Sequence, residues 1–326
     1  MAIKERALLI ANPISGTVSK HKIVPAIYRK IKEAGMDLEV ALTEGPCHAT
    51  QLARQAAADG FYAVIVCGGD GTVNEAATGL TETNTALGIV PAGSGNGLAR
   101  HLGIPVDVDR SLRVIAGRHI ISADYGLANG RPFFCTFGTG FDAAVSERFA
   151  RQKRRGLIMY LKSAIDEYVK FSPDEYIIEA NDLTITDKAL LVVVCNASQY
   201  GNNAFIAPDA SVTDGELDVT VVHSGNLFTD AICGLDILTG FIGKNAYVDT
   251  FRAQRVTIKR KRSGSAHIDG DPVVMPTRID ISCRPGALKL FAPTDSTRFK
   301  PIVTPAALFF RDLGIALEHL WPFYRH

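Results

Sequence analysis

Residues 62–80 read YAVIVCGGDGTVNEAATGL and place a short apolar run, a glycine turn and a helical pattern in direct succession. Val64, Ile65 and Val66 have the texture of a strand buried on both faces. Gly68, Gly69, Asp70, Gly71 and Thr72 follow at once; helical spacing begins near Val73, and Gly79 is the expected stop. Glycines let the backbone come close to a ligand. A helix start then directs unpaired N–H groups and its positive dipole end into the turn, which suits phosphate. Asp70 is the odd residue, because a carboxylate repels phosphate unless a cation lies between them, or unless a hydroxyl is to be activated. A tight βα turn capped by Asp and Thr carries the same letters, so the surrounding elements decide.

Those elements repeat one pattern. Residues 7–11 read as a strand that empties into Asn12, Pro13, Ile14, Ser15, Gly16 and Thr17. A helix is expected over 21–34, a strand over 38–42 ending at Thr43, a helix over 48–58, and a strand over 86–90 before Gly93-Ser94-Gly95-Asn96-Gly97. The alternation predicts a parallel sheet with helices on both faces, whose ligand lies at the carboxyl ends of the strands. All four turns fall at that edge. The dinucleotide fingerprint GxGxxG is missing after the first strand, and the P-loop GxxxxGK[ST] is absent throughout. Phosphates must then be held by backbone N–H groups, by the hydroxyls of Ser15, Thr43, Thr72 and Ser94, and by Mg²⁺, which is what phosphoryl transfer requires.

With 326 residues the chain has room for about two domains. Hydrophobic content of 47% provides a core, and a net charge of +1 excludes a global field for nucleic acid. None of the six cysteines forms a CxxC pair, so they read as reduced core residues. Neither a signal peptide nor a membrane-spanning run is expected, which points to a cytoplasmic protein with peripheral membrane contact. Beyond residue 118 the texture changes. Short Val-, Ile- and Phe-rich segments at 119–127, 132–137, 175–180, 188–195, 216–223, 252–260, 265–270 and 278–283 predict a mainly antiparallel β-sandwich, with helices near 141–150, 157–170 and 226–240. The expected organisation is 1–118, 119–293 and a C-terminal segment 294–326.

In this order and spacing, NPISG (12–16), GGDGTVNE (68–75) and PAGSGNGLAR (91–100) resemble the diacylglycerol kinase catalytic domain family, which includes bacterial lipid kinases and sphingosine and ceramide kinases. The resemblance implies an α/β first domain like that of NAD kinases and phosphofructokinases. It implies ATP across Asn12, Pro13, Ser15, Gly16, Thr43, Gly68, Gly69, Asp70, Gly71, Thr72, Asn74, Glu75, Gly93, Ser94 and Asn96. It sets Asp124 in the cleft near the metal, and a structural Mg²⁺ on Asp214 and the carbonyl oxygens of Ser211 and Glu216. AHIDGDPVV (266–274) matches the family's DGE signature with Asp271 in place of Glu. Asp-Gly by itself favours a hairpin. The resemblance projects Asp269 and Asp271 into the cleft, with Asp271 aligned to the general base, Asp269 beside it, and Asp70 the third candidate by similarity to sphingosine kinases.

One departure bears on the substrate. Many bacterial members read G-T-x-N-D in the fourth turn, whereas Gly97 stands here at the Asp position. The expected activity is ATP-dependent phosphorylation of a lipid hydroxyl, of diacylglycerol or a sphingoid base. A soluble-acceptor kinase of the NAD-kinase type and a non-catalytic nucleotide- or lipid-binding protein are the alternatives. Basic clusters at Arg148–Arg155 and Lys259–Arg262 are expected to attract anionic headgroups. The apolar tail 304–326 is expected to pack on the body, pair with a second copy in a homodimer, or lie at a bilayer.

Overall fold

The computed structural model describes residues 5–13, 20–151 and 157–294. Ser15, Gly16, Lys153, Arg154, Arg155 and the tail lie outside them. The first half follows the apolar and helical alternation: β1 (Arg6–Ala11), α1 (Lys20–Glu33), β2 (Asp37–Leu42), α2 (His48–Ala58), β3 (Ala63–Gly68), α3 (Asp70–Leu80) and β4 (Ala86–Pro91), then α4 (Gly97–His101) and α5 (Val108–Ala116). The four strands are parallel in the order β4-β3-β1-β2. Both faces of β3 are covered. Val64 and Val66 pack with Ala53, Ala56, Ala76 and Ala77 of α2 and α3, while Ile65 and Cys67 join Ile27 and Ile31 of α1 and Ile115 of α5. Gly79 does not stop α3. It lies inside the helix, where a Cβ would come 2.5 Å from the Thr50 carbonyl oxygen of α2, so its role is close packing.

The second half turns antiparallel. It contains β5 (Ile120–Ala128), β6 (Arg131–Phe133), β7 (Thr136–Gly140), α6 (Phe141–Ala150), α7 (Leu157–Tyr168), β8 (Asp174–Ala180), β9 (Leu183–Cys195), β10 (Leu217–His223), α8 (Leu227–Thr239), β11 (Val248–Ala253), β12 (Arg255–Arg260), β13 (Gly264–Ile268), β14 (Asp271–Met275) and β15 (Arg278–Phe291). The two halves share hydrogen-bonded strands, in the order β14-β13-β7-β9-β8-β12-β15-β4-β3-β1-β2. β15 makes the join: it pairs antiparallel with β12 and β5, and near its end Leu290 meets Leu87 of β4 in parallel. Its register along β5 shifts between Arg284 and Leu288, where Gly286 adopts φ +60° and the strand bends as at a β-bulge.

All six cysteines are free thiols, and Cys67, Cys135, Cys195 and Cys233 are buried. No helix among the described residues is long and apolar enough to cross a membrane.

Candidate active site

β3 ends on Gly68 and Gly69 caps α3, so Asp70 is the helix's first residue. Its carboxylate grips the fourth turn. Oδ2 accepts from the Asn96 N–H at 2.8 Å and Oδ1 from the Gly97 N–H at 2.6 Å. Burial raises the Asp70 carboxyl above its ordinary value, against the pull of those two N–H groups. Asn96 closes the turn on itself, with Oδ1 accepting from the Gly93 N–H at 3.0 Å and Nδ2 donating to the Gly93 carbonyl at 2.9 Å. Gly93 lies so near β3's turn that a Cβ on it would stand 2.5 Å from Gly69 Cα. The two glycine turns are thereby locked into one surface. At that edge Thr43 and Thr72 are buried, Gly71 and Ser94 are exposed, and Asn12 and Pro13 stand at the end of β1. The Thr43 N–H donates to the Ala11 carbonyl at 3.0 Å, which brings the β1 and β2 ends together.

Two residues expected on the nucleotide make hydrogen bonds within the protein. α2 starts at Cys47 in a left-handed conformation with no side-chain cap of its own. Glu75 of α3 supplies one: Oε1 accepts from the Cys47 N–H at 2.9 Å and Oε2 from the Ala49 N–H at 3.1 Å. A carboxylate there satisfies orphan donors and opposes the positive end of the helix. Glu75→Ala is expected to cost about 1–2 kcal/mol, read as a lower urea midpoint at unchanged slope. An unchanged midpoint with weakened ATP binding would return Glu75 to the nucleotide. Asn74 donates Nδ2 to Asp269 Oδ2 at 2.5 Å across the two halves of the chain.

Asp269 and Gly270 form the β13–β14 hairpin turn with φ +49° and +87°, the pairing that Asp-Gly favours. The Asp269 carboxylate is an anchor rather than an open base. Oδ1 accepts from the Cys135 and Thr136 N–H groups, each at 2.8 Å, and Oδ2 from the Phe134 N–H at 2.9 Å as well as from Asn74. Burial raises its carboxyl while the Phe134, Thr136 and Cys135 N–H groups and the Asn74 amide lower it. Asp271, which opens β14, is exposed.

Behind the hairpin lies a cluster that sequence reasoning missed. His267 is 1% exposed, with Nε2 2.9 Å from Asp142 Oδ2. That oxygen also accepts from Tyr200 Oη at 3.1 Å, and the Gly270 N–H donates to His267 Nδ1 at 3.4 Å. The only sequence signal was a histidine two residues before DGD.

The remaining acidic residues hold loops together. Asp124 is buried, and its oxygens accept from the Gly286 N–H at 2.6 Å and the Gly215 N–H at 2.7 Å. It fastens the β15 bend to the 208–216 loop. In that loop Ser211 Oγ meets Thr213 Oγ1 at 3.3 Å, and Asp214 Oδ1 accepts from the Glu216 N–H at 3.2 Å. Asp214 Oδ2 faces Arg252 Nη1 at 3.8 Å, while Arg252 Nε donates to Asp218 Oδ1 at 3.1 Å. Among the described residues no three His, Cys, Asp or Glu gather where they could hold a metal ion. The set expected for Mg²⁺, Asp214 with the carbonyl oxygens of Ser211 and Glu216, holds one certain carboxylate ligand, and that carboxylate also faces Arg252.

The second basic cluster is neutralised by β8, with Lys259 on Glu179, Lys261 on Glu175 and Arg262 on Asp174. Arg260 is buried and donates to the carbonyls of Pro276, Ser265, Gly264 and Met275, which braces the hairpin. Arg148 pairs with Asp166 and Glu167, and Arg151 with Glu147.

Residues 6–128 match the model of the diacylglycerol kinase catalytic domain, and residues 135–292 that of the YegS C-terminal NAD kinase beta sandwich-like domain. A diacylglycerol kinase of Mycobacterium tuberculosis (strain ATCC 25618 / H37Rv) is 30% identical over 303 residues, covering 87% of this chain and 94% of that protein. The diacylglycerol kinase of Bacillus subtilis (strain 168) is 26% identical over 272 residues, covering 82% of this chain and 90% of that one. The fold is that of a diacylglycerol kinase crystal structure from Bacillus anthracis str. Sterne, with a TM-score of 0.71 at 23% identity over 90% of this chain and 99% of that one. The chain belongs to the diacylglycerol kinase catalytic domain family.

Proposed function

We propose that this chain transfers the γ-phosphoryl group of ATP to a lipid hydroxyl. The observation that carries the reading is the 2.5 Å hydrogen bond from Asn74 to Asp269, which fixes the DGD hairpin against the helix of the glycine turn. Asp271, two residues beyond the anchor, is the exposed carboxylate of that hairpin. ATP enters with its Mg²⁺ as substrate. Its phosphates lie on the Gly68–Thr72 and Gly93–Ser94 edge, met by backbone N–H groups and the positive end of α3. The lipid oxygen forms a bond to the γ-phosphorus, the bond from that phosphorus to the β–γ bridging oxygen breaks, and ADP leaves. Asp271 orients the hydroxyl and takes its proton as the new bond forms. What the fold contributes is position, the main requirement of this chemistry.

The test is transfer of labelled γ-phosphate to diacylglycerol, sphingoid bases, ceramide and phosphatidylglycerol in mixed micelles, with NAD as soluble control. Labelled lipid is the expected product. Label on NAD alone would make the chain a soluble-acceptor kinase, and ATP binding without any labelled product would make it a binding protein.

A further inference from the structure

α8 presents an apolar face outward. Leu227, Phe228, Ala231, Ile232, Gly234 and Leu235 are exposed, Phe228 to 74% and Leu235 to 56%. Its two carboxylates are turned inward, with Asp230 accepting from Tyr168 Oη at 2.8 Å and Asp236 from Asn245 Nδ2 at 2.7 Å. An ordinary surface helix has the opposite arrangement. The helix is well formed without any further partner, because Asn226 and Thr229 make a capping box at its start and Gly240 a left-handed cap at its end. The Tyr168–Asp230 bond links α7 to α8, and Ile165 of α7, exposed to 71%, and Val169 just after it, exposed to 85%, add to the apolar set. Single exposed apolar residues are ordinary, but an apolar set shared by two adjoining helices marks an interaction surface.

Three lysines lie on or beside these elements. Lys162 and Lys170 on and just after α7, and Lys244 in the 3₁₀ turn Ile242–Lys244 beside α8, are exposed. The carboxylates of these elements are engaged, Asp166 and Glu167 with Arg148, Asp230 with Tyr168 and Asp236 with Asn245. The face is also one segment away from the glycine turns. The Phe205 N–H donates to the Ile237 carbonyl of α8 at 2.7 Å, and the Asn202 N–H donates to the Gly95 carbonyl at 3.2 Å.

We propose that the α7–α8 face docks on an anionic lipid bilayer, an inference that rests on the lipid-kinase reading and names the surface from which the acceptor arrives. Apolar side chains flanked by cations match the acyl boundary and headgroups of such a bilayer. A second copy meeting the same face would bring lysines together while the carboxylates of these elements are already engaged with Arg148, Tyr168 and Asn245.

The test is co-sedimentation of the full chain with vesicles of phosphatidylcholine, with and without phosphatidylglycerol. The double variant Phe228→Ser/Leu235→Ser is expected to lower the partition coefficient about tenfold at unchanged melting temperature. The triple variant Lys162→Glu/Lys170→Glu/Lys244→Glu is expected to lose the preference for phosphatidylglycerol and its salt sensitivity. Wild-type partitioning in both variants would overturn the proposal. So would a dimeric solution mass that becomes monomeric in Phe228→Ser/Leu235→Ser, which would give the face to a second copy. Sedimentation needs neither nucleotide nor turnover, so failure here and absence of phosphotransfer are separate results.

Discussion

Asp269→Asn is expected to lower kcat/KM for lipid phosphorylation by roughly a thousandfold and to cost about 2–4 kcal/mol of stability. The side chains have nearly the same shape, but the hydrogen-bonding inventory does not carry over. Each Asp269 oxygen accepts from two donors, Cys135 and Thr136 on one and Phe134 and Asn74 on the other. Either orientation of an asparagine amide would turn its NH₂ toward two of those donors. The hairpin would detach from α3 and take Asp271 with it. Asp271→Asn makes the contrast: the residue is exposed, so urea unfolding should be unchanged while kcat falls and the KM for ATP holds. If Asp269→Asn unfolds at the wild-type urea midpoint, the anchor assignment fails. The pH dependence has two signs. Burial holds the Asp269 carboxyl above its unfolded value, so its contribution to stability is full below that unfolded value, about 3.9, and is lost as pH rises through the folded value. Anchoring needs the ionised form with its four acceptor positions. The acid limb of kcat/KM should therefore lie above the ordinary carboxylate range, in a window where protonating this group favours the folded state.

The first half of the fold was legible because its signals are local. The runs at Ala7–Ile10, Val64–Val66 and Leu87–Val90 are apolar without alternation, and the turns between them hold Gly, Asn, Ser or Thr. The join between the halves was not legible. It depends on a bend near Gly286 and on a pairing between Leu290 and Leu87, neither of which leaves a local pattern. The meeting of the two glycine turns at the strand ends, the candidate site, was legible for the same reason as the parallel sheet. The duties of its carboxylates were not. Asp70, Glu75, Asp124 and Asp269 all accept backbone N–H groups, and a backbone donor has no sequence signature. Glu75 reads as part of a nucleotide motif, yet its partner Cys47 lies on the preceding helix turn, 28 residues away. Once these four are assigned to holding loops, Asp271 is the one carboxylate of the expected catalytic set that stands exposed.

Asp70→Asn should weaken ATP binding and lower kcat/KM by about 10²–10³, and the loss of affinity separates two roles. One Asp70 oxygen holds the Asn96 N–H and the other the Gly97 N–H. An amide in its place keeps one of these bonds and sets NH₂ against the other donor. There is no slack to absorb the change, because Gly69 and Gly93 already touch with no room for a Cβ between them. The turns must part, and the N–H groups that receive the phosphates move with them; a shift of about 1 Å is enough for a hundredfold loss. A general base would behave differently, since its removal leaves ATP affinity intact. Calorimetric titration of ATP therefore decides: wild-type affinity with lost turnover would make Asp70 the base and refute the clasp. Gly97→Asp probes the same contact from the other side. A Cβ there would come 3.3 Å from the Tyr200 carbonyl oxygen and 3.5 Å from Cys135 Sγ, and the new carboxylate would stand close to Asp70. Like-charge repulsion would push the already raised Asp70 carboxyl further toward protonation, and a protonated Asp70 can no longer accept from both amides as a carboxylate does. Gly97 is thus the partner that this clasp requires, and an acid at this position should impair this chain rather than improve it.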